Sequence, residues 1–462
     1  MTSPGKLPTR PARPRRPDAR LIRRSQIIAG LALPVFLGLG GAFFRLGLAA
    51  PAPIDTPPPG RGTLWSADGR ILASGPLERR RTPQDSLAAP VLGFVGVSGG
   101  LEGAERALDG SLQRGEDVTL TLDTRVQGAV EDILARAVRR TSAQYATAAV
   151  LDTQTGELRA LASVPGYDPA AWRTAPPERW RNRAALDEYE PGSVLKALIV
   201  AALLDAGLTT PETRYDTPMR RQVAGATIGD LVPHPDTLTT REILRYSSNV
   251  GMTRLVDGVP AELLRRALAN YGLGQPPRIG VPAGDGVLRD AADWSELSQA
   301  TMAFGQGLTV TTLQLVAAFN VLATDGRYVT PRVLAAAPLQ TRPVLRPATA
   351  AQMREVLHGV IDEGIRTKAA LPGYHVGGKT GTAQVVVGGR YSPDVFSSTF
   401  AGFLPAARPR FTVAVMVRGA QREFQGSQLA APIFRDISGV LFSLYALAPE
   451  GADVAEVVRG AP

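Results

Sequence analysis

Residues 189–196 read Tyr189-Glu190-Pro191-Gly192-Ser193-Val194-Leu195-Lys196, and the chain then stays apolar through Leu204. Apolar on all sides from Val194 to Leu204, this segment predicts a buried helix rather than an amphipathic surface one. Pro191-Gly192 immediately before it favours a helix start at Ser193. A spacing of three then puts Ser193 and Lys196 on one face, a turn apart. A serine hydroxyl is a weak nucleophile until a neighbouring base removes its proton. A lysine at a buried helix start can be that base, because desolvation and the positive helix end lower its pKa. The backbone N–H groups of the same terminus can help bind an oxyanion.

The choice of cation sharpens this reading. Lys6, Lys196, Lys368 and Lys379 are the only lysines; every other cationic side chain is arginine. Arginine keeps its proton at any working pH, whereas a desolvated lysine can give it up. Two of the four lysines stand in short motifs, the second being Lys379-Thr380-Gly381-Thr382 after Gly377-Gly378. Small residues there let a substrate backbone lie along a strand edge, and Lys379 with Thr380 and Thr382 can grip a carboxylate. Between the two lies Ser247-Ser248-Asn249. The Ser247 hydroxyl can pass a proton between base and leaving group, and the Asn249 amide can hold the base and a substrate amide together. Each motif alone is weak, since Ser-x-x-Lys, Ser-x-Asn and Lys-Thr-Gly are all common in ordinary helices, turns and strands.

Outward from these motifs, strands are expected at both ends of the domain. Thr119–Leu122 reads as a strand and Thr124–Arg140 as an amphipathic helix; Ala146–Leu151 and Leu158–Ser163 flank the turn signal Asp152-Thr153-Gln154-Thr155-Gly156. Downstream, Thr380–Val387 and Phe396–Phe403 flank Gly388-Gly389, Phe411–Val417 is a further β-branched run, and Leu429–Leu447 reads as a last helix. A long, mostly helical stretch separates the two groups. One antiparallel sheet assembled from distant parts of the chain, with helices on its faces, is the expected α/β (α+β) architecture.

The amino-terminal part is of another kind. Met1–Arg24 is a Pro- and Arg-rich basic tail, expected to be disordered. Ile27–Phe44 carries no charge and would reach roughly 27 Å as a helix, close to the hydrocarbon thickness of a bilayer. With the basic tail on the cytoplasmic side, everything after Ala50 is expected outside the cytoplasm. Leu48-Ala49-Ala50 leaves a cleaved signal peptide as the alternative, although the run exceeds an ordinary h-region of about 7–15 residues. The expected division is 1–24 cytoplasmic tail, 25–48 membrane helix, 49–60 Pro-rich linker, 61–117 pedestal, 118–448 catalytic domain and 449–462 tail.

Composition excludes several function classes. The net charge of +9 comes mostly from the residues before Ile27, so it is a poor argument for nucleic-acid binding. There is no cysteine, which rules out disulfides, thiolate catalysis and Cys-ligated clusters. His234, His358 and His375 are the only histidines, too few for a His-rich metal site. His234, between Pro233 and Pro235, reads as a loop residue, and all three as structural or solvent-exposed.

Taken together and in this order, the three motifs match those of the serine β-lactamases and penicillin-binding proteins, with Ser248 where an Asp is common. Arg61-Gly62-Thr63-Leu64, Asp68-Gly69-Arg70-Ile71-Leu72-Ala73, Gly100-Leu101-Glu102-Gly103, Asn182-Arg183-Ala184, Tyr246–Met252 and Gly305-Gln306-Gly307-Leu308 add to the likeness. From Arg61 to about Tyr445 the chain resembles a class B penicillin-binding protein, a peptidoglycan D,D-transpeptidase. The resemblance implies a penicillin-binding transpeptidase or serine β-lactamase-like fold: a five-stranded antiparallel sheet flanked by helices, a helical subdomain, a small pedestal and a membrane anchor. It implies Ser193 as acylated nucleophile, Lys196 as base, Ser247 as proton relay and Asn249 as donor-peptide ligand. Lys379, Thr380, Gly381 and Thr382 would bind the substrate or β-lactam carboxylate, and the N–H groups of Ser193 and Thr382 would form the oxyanion hole. No metal or cofactor is implied. The implied partners are peptidoglycan stem peptides on lipid II-derived glycan strands, β-lactams as covalent inhibitors, and a membrane glycosyltransferase with other division-complex proteins; the septal type is favoured by Ser247-Ser248-Asn249-Val250-Gly251.

Departures from the pattern include Val194-Leu195 inside the first motif, which reads as ordinary apolar variation, a packing matter. The pedestal is short, and reads Trp65-Ser66-Ala67-Asp68 where Asp-Arg is usual before the later glycine. That puts pedestal contacts in doubt, not the chemistry. A serine β-lactamase would need a general base for water, and no Glu-x-x-Leu-Asn stands between the second and third motifs. A D,D-carboxypeptidase, a membrane β-lactam sensor and a catalytically silent scaffold are the other readings; the intact motifs speak against the last, and the short tail against a sensor.

Overall fold

The structure is a computed structural model that describes residues 60–363 and 368–449. The basic tail, the Ile27–Phe44 run, the linker to Pro59 and the residues from 450 onward therefore lie outside the described residues. Among the described residues no helix is long and apolar enough to cross a membrane.

Fourteen strands are named here in chain order: β1 Leu64–Trp65, β2 Ile71–Ala73, β3 Val118–Thr119, β4 Tyr145–Asp152, β5 Leu158–Val164, β6 Arg214–Asp216, β7 Arg220–Val223, β8 Ala226–Gly229, β9 Thr237–Thr239, β10 Arg327–Val329, β11 Thr341–Pro343, β12 Gly377–Val387, β13 Arg390–Leu404 and β14 Phe411–Arg418. The central sheet has five strands in the order β12-β13-β14-β4-β5, and every neighbouring pair is antiparallel. Chain-distant segments meet at β14 and β4, where Phe411 pairs with Asp152 and Arg418 with Tyr145.

Side-chain alternation along these strands explains why both faces are covered. Ala146, Ala148 and Val150, with Val413, Val415 and Val417, pack against Val130 and Leu134 of the helix Thr124–Thr141 and Phe434 and Ile437 of the helix Ala430–Leu444. Ala149, Leu151, Ala414 and Met416 face the other way, into a core shared with the helices Leu195–Asp205, Thr312–Ala323 and Pro347–Asp362. Every residue from Leu195 to Leu204 is buried. Burying a large aliphatic side chain contributes roughly 1.5–3 kcal/mol, so this helix is anchored firmly and carries Lys196 into a dry interior.

Four expectations change in detail. The hairpin near the carboxyl end is longer than the apolar runs alone indicate; Val387 pairs with Arg390 across Gly388 (φ 59°) and Gly389 (φ 81°). Two successive left-handed residues make the turn whose twist matches paired strands. The segment Thr119–Leu122 does not form one strand. Val118–Thr119 pairs in parallel with β1, then Leu120 bridges Leu334 and the Thr121 N–H donates to the Val333 carbonyl. The stretch between the two strand groups is not simply helical, for it holds the small antiparallel pairs β6–β9, β7–β8 and β10–β11. These strands are short and mostly polar, so turn geometry and backbone pairing hold them rather than any apolar period. Finally, Gly192–Val194 is a 3-10 turn and the α-helix begins at Leu195, not at Ser193.

Residues 60–117 pack around the sheet β2-β1-β3. Its polar centre is Glu105, 2% exposed, which accepts from Arg61 at 3.0 Å and Arg80 at 2.7 Å. Two guanidinium groups on one buried carboxylate satisfy charges that would be costly alone.

Candidate active site

The turn carrying Ser193 is wedged between β12 and the loop 305–310. Gly192 has φ 60°, and a Cβ there would lie 2.9 Å from the Thr382 carbonyl oxygen and 3.2 Å from its nitrogen. The Gly192 N–H donates to the Gly305 carbonyl, and a Cβ on Gly305 would stand 1.9 Å from the Gly192 oxygen. From the strand side, the Thr399 hydroxyl donates to the Pro191 carbonyl at 3.0 Å. A Cβ on Gly381 would meet that hydroxyl at 2.2 Å and the Pro191 oxygen at 2.4 Å. Glycine is therefore required where three backbones converge on the residue before Ser193. Gly381→Ala is expected to push β12 off this turn. Overpacking of that kind costs about 1–3 kcal/mol; melting temperature should fall, and labelling by fluorescent penicillin should slow by about tenfold or more.

Ser247-Ser248-Asn249 forms the corner between two short helices, Thr240–Tyr246 and Asn249–Leu255. The first starts with a reciprocal cap between Thr239 and Glu242 and ends at Ser247, which is left-handed at φ 57°. Such a conformation at a non-glycine residue costs on the order of 1–2 kcal/mol. The Ser248 hydroxyl caps the second helix, accepting the Gly251 N–H at 2.7 Å.

The three motifs meet at Ser247. Lys196 Nζ donates to the Ser247 carbonyl at 2.5 Å and to Asn249 Oδ1 at 2.7 Å, and lies 3.5 Å from Ser247 Oγ. From the other side, Lys379 Nζ donates to Ser247 Oγ at 2.9 Å and to the Thr380 carbonyl at 3.2 Å. Lys196 is 0% and Lys379 2% exposed. Burial, then the positive charge of Lys379, holds Lys196 well below the usual lysine range, against the opposing pull of Asp230. Burial alone brings Lys379 down to about 7. Two amines around one hydroxyl in a dry site favour loss of a proton from one of them. The half-buried Ser193 side chain makes no hydrogen bond among the described residues, so the one-turn spacing to Lys196 is not closed by a direct bond. Thr380 is half-buried; Thr382 is exposed on β12, an edge strand of the sheet, and its hydroxyl accepts the Gly426 N–H at 2.9 Å.

Two further groups border the site. Glu190 Oε1 accepts the Gly307 N–H at 2.8 Å and the Tyr391 hydroxyl at 3.0 Å, tying the loop after Phe304 to the β12–β13 hairpin. Its other oxygen is buried without a partner, and burial raises its pKa. Asp230 holds Ser248 and Asn249, and His234 leans on Asp230. His234 does lie in a loop, but its side chain is 1% exposed, so of the two readings it is the structural one and not the solvent-exposed one. His358 and His375 stack on each other 4.7 Å apart, outside this cluster of contacts. The only signal for Asp230 in the sequence was its place four residues before a histidine.

Residues 146–439 match the family described as the penicillin binding protein transpeptidase domain. The chain is 34% identical over 416 residues to the "Probable peptidoglycan D,D-transpeptidase PenA" of Neisseria gonorrhoeae, covering 82% of this chain and 71% of that one. It is 31% identical over 407 residues to the peptidoglycan D,D-transpeptidase FtsI of Escherichia coli K12, covering 80% and 68%. The crystal structure of apo penicillin binding protein 3 from Mycobacterium tuberculosis superposes with a TM-score of 0.80 at 30% identity, over 86% of this chain and 98% of that chain.

Proposed function

Since the chain belongs to the class B penicillin-binding proteins, we infer that it is a peptidoglycan D,D-transpeptidase acting through an acyl-enzyme on Ser193. The observation that carries this reading is the position of Ser247 Oγ between two buried amines, Lys379 and the Lys196 that follows Ser193 by three residues. Neutral Lys196 takes the proton from Ser193 Oγ, which attacks the penultimate D-alanyl carbonyl of a stem peptide. The N–H groups of Ser193 and Thr382 receive the oxyanion; the close packing of Gly192 on Thr382 supports that pairing. As the C–N bond breaks, a proton returns through Ser247 to the departing nitrogen, and terminal D-alanine leaves. The amine of a second stem then attacks the ester and gives a proton to the base; as the C–Oγ bond breaks, the base returns that proton to Ser193 Oγ and the new amide leaves. Lys379, Thr380, Gly381 and Thr382 hold the terminal carboxylate, and Asn249 the donor-peptide amide. Catalytic hydrogen bonds often tighten only in the substrate complex, consistent with a Ser193 hydroxyl that is unbonded at rest.

The finer reading follows the relatives' names and the amino-terminal residues. A septal role fits the likeness to FtsI, with anchoring by Ile27–Phe44, the catalytic domain 118–448 outside the cytoplasm and the pedestal 61–117 facing a membrane glycosyltransferase. A fluorescent fusion in dividing cells is expected at the division site; a uniform lateral distribution would count against it.

Incubation of the purified protein with a pentapeptide donor and an amine acceptor tests the reaction itself. Crosslinked product with equimolar D-alanine is expected. Tetrapeptide as the sole product would assign a carboxypeptidase, and rapid conversion of penicillin to penicilloic acid a β-lactamase.

A further inference from the structure

The loop from Asp230 to Asp236 joins β8 to β9 and belongs to none of the three motifs. Its first carboxylate is nevertheless the hub of the corner at Ser247-Ser248-Asn249. Asp230 Oδ1 accepts the N–H groups of Asn249 and Val250, and Oδ2 accepts the Ser248 hydroxyl at 2.6 Å. Oδ2 also lies 2.8 Å from His234 Nε2, and the two side chains are 2% and 1% exposed. The other ring nitrogen, His234 Nδ1, lies 2.8 Å from the Pro235 carbonyl oxygen.

A carboxylate and a peptide carbonyl both offer lone pairs and no proton. A neutral imidazole carries one N–H, so it would set its own lone pair against one of these two oxygens. With Asp230 ionised, as its acceptance of the Asn249 and Val250 N–H groups and the Ser248 hydroxyl favours, a ring protonated on both nitrogens is the one that satisfies both contacts. It also supplies the positive charge that a buried carboxylate needs. On its far side Asp230 acts on Lys196: it accepts the backbone N–H of Asn249, whose side-chain Oδ1 accepts from Lys196 Nζ, and the negative charge of Asp230 opposes the release of the lysine's proton.

We propose that His234 is a positioning residue for the acyl-transfer site: as the imidazolium partner of Asp230 it offsets that carboxylate's charge at Lys196 and fixes Ser248 and Asn249 in the corner they occupy. The proposal rests on the reading of Lys196 as the base. Other charges on the surrounding elements are directed elsewhere. Arg245 pairs with Glu363, Arg254 with Asp216, and Arg221 with Asp257. Lys379 is held by Ser247 and Thr380, Asp236 is exposed, and Tyr246 contributes a ring 5.8 Å from the imidazole.

The chain has three histidines, so uniform ¹⁵N-histidine labelling of the full-length protein gives an assignable spectrum. At pH 7.5 one ring is expected to show two protonated nitrogens, and that signal should vanish in His234→Gln. A neutral His234 ring overturns the proposal whatever Lys196 does. The second readout is the rate of penicillin acylation against pH. His234→Gln should move the acidic limb to higher pH by about one unit, because the uncompensated carboxylate keeps Lys196 charged. Asp230→Asn should move it the other way, and His234→Lys, which restores a positive charge, should return it towards the wild-type position. Equal losses at every pH, with no opposed displacement, would reduce His234 to scaffold and overturn the proposal. If Lys196→Arg were acylated at the wild-type rate, the fault would lie with the base assignment, while the nitrogen spectrum would still judge the ion pair.

Discussion

Ser193→Ala is expected to abolish covalent labelling by fluorescent penicillin on a denaturing gel and to lower crosslinking by on the order of 10⁴–10⁶-fold. The melting temperature should hardly move. The Ser193 hydroxyl is not hydrogen-bonded, and truncation of a group without such a role changes stability by about 0.5 kcal/mol or less. The turn that carries it is fixed by backbone contacts that an alanine keeps: the Gly192 N–H on Gly305, and Thr399 on the Pro191 carbonyl. Loss of label with unchanged stability thus separates chemistry from folding. Ser247→Ala makes the control, since the Ser247 hydroxyl does lie within reach of the buried amines, with Lys379 at 2.9 Å and Lys196 at 3.5 Å. It should still become labelled, but slowly, because a relay is gone and a nucleophile is not. If Ser193→Ala kept its label and Ser247→Ala lost it, the two serines would exchange roles.

What the sequence made legible is what short-range spacing and periodicity encode. Ser193 and Lys196 are three residues apart at the start of an apolar helix, Ser193 in the turn that leads into it, and the strands on either side of Gly388-Gly389 announce their own pairing. The hairpin signal after Ala146–Leu151 and the apolar, β-branched run Phe411–Val417 were enough to read both as strands of one sheet, in which they pair. Contacts set by tertiary closure were not legible. Glu190 meets Tyr391 across 201 residues of chain, and no local pattern marks either one. Ser247 is left-handed without being a glycine or asparagine, so its turn carried no sequence signal. Asp230 and His234 sit among prolines, where a loop is the ordinary reading, and only the fold turns their side chains inward under Asn249. The amine of Lys196 likewise faces Ser247 and Asn249, 51 and 53 residues away, and not the hydroxyl one turn before it.

Lys196→Arg keeps the charge and loses the function that the site asks of this position. A guanidinium stays protonated at every working pH, so it cannot receive the Ser193 proton. General-base catalysis contributes typically 10²–10⁴-fold, and penicillin acylation should fall by that order. The sign of the pH dependence follows from the lysine's environment. Burial and Lys379 hold Lys196 well below its ordinary value, so its neutral form is available at a lower pH than that of an ordinary lysine. The wild-type acylation rate should therefore rise as pH is raised through that depressed value and be lost below it. Lys379, brought down to about 7, binds a carboxylate best while protonated, so the rate should fall again on the alkaline side. A bell is the expected profile, read as the apparent behaviour of the two coupled amines. Lys196→Arg should lose the acidic limb along with the rate, because no group at this position then changes protonation. Labelling of Lys196→Arg at the wild-type rate, with the acidic limb intact, would show that the proton leaves Ser193 by another path. Ser247, 2.9 Å from Lys379, would then be the first group to examine.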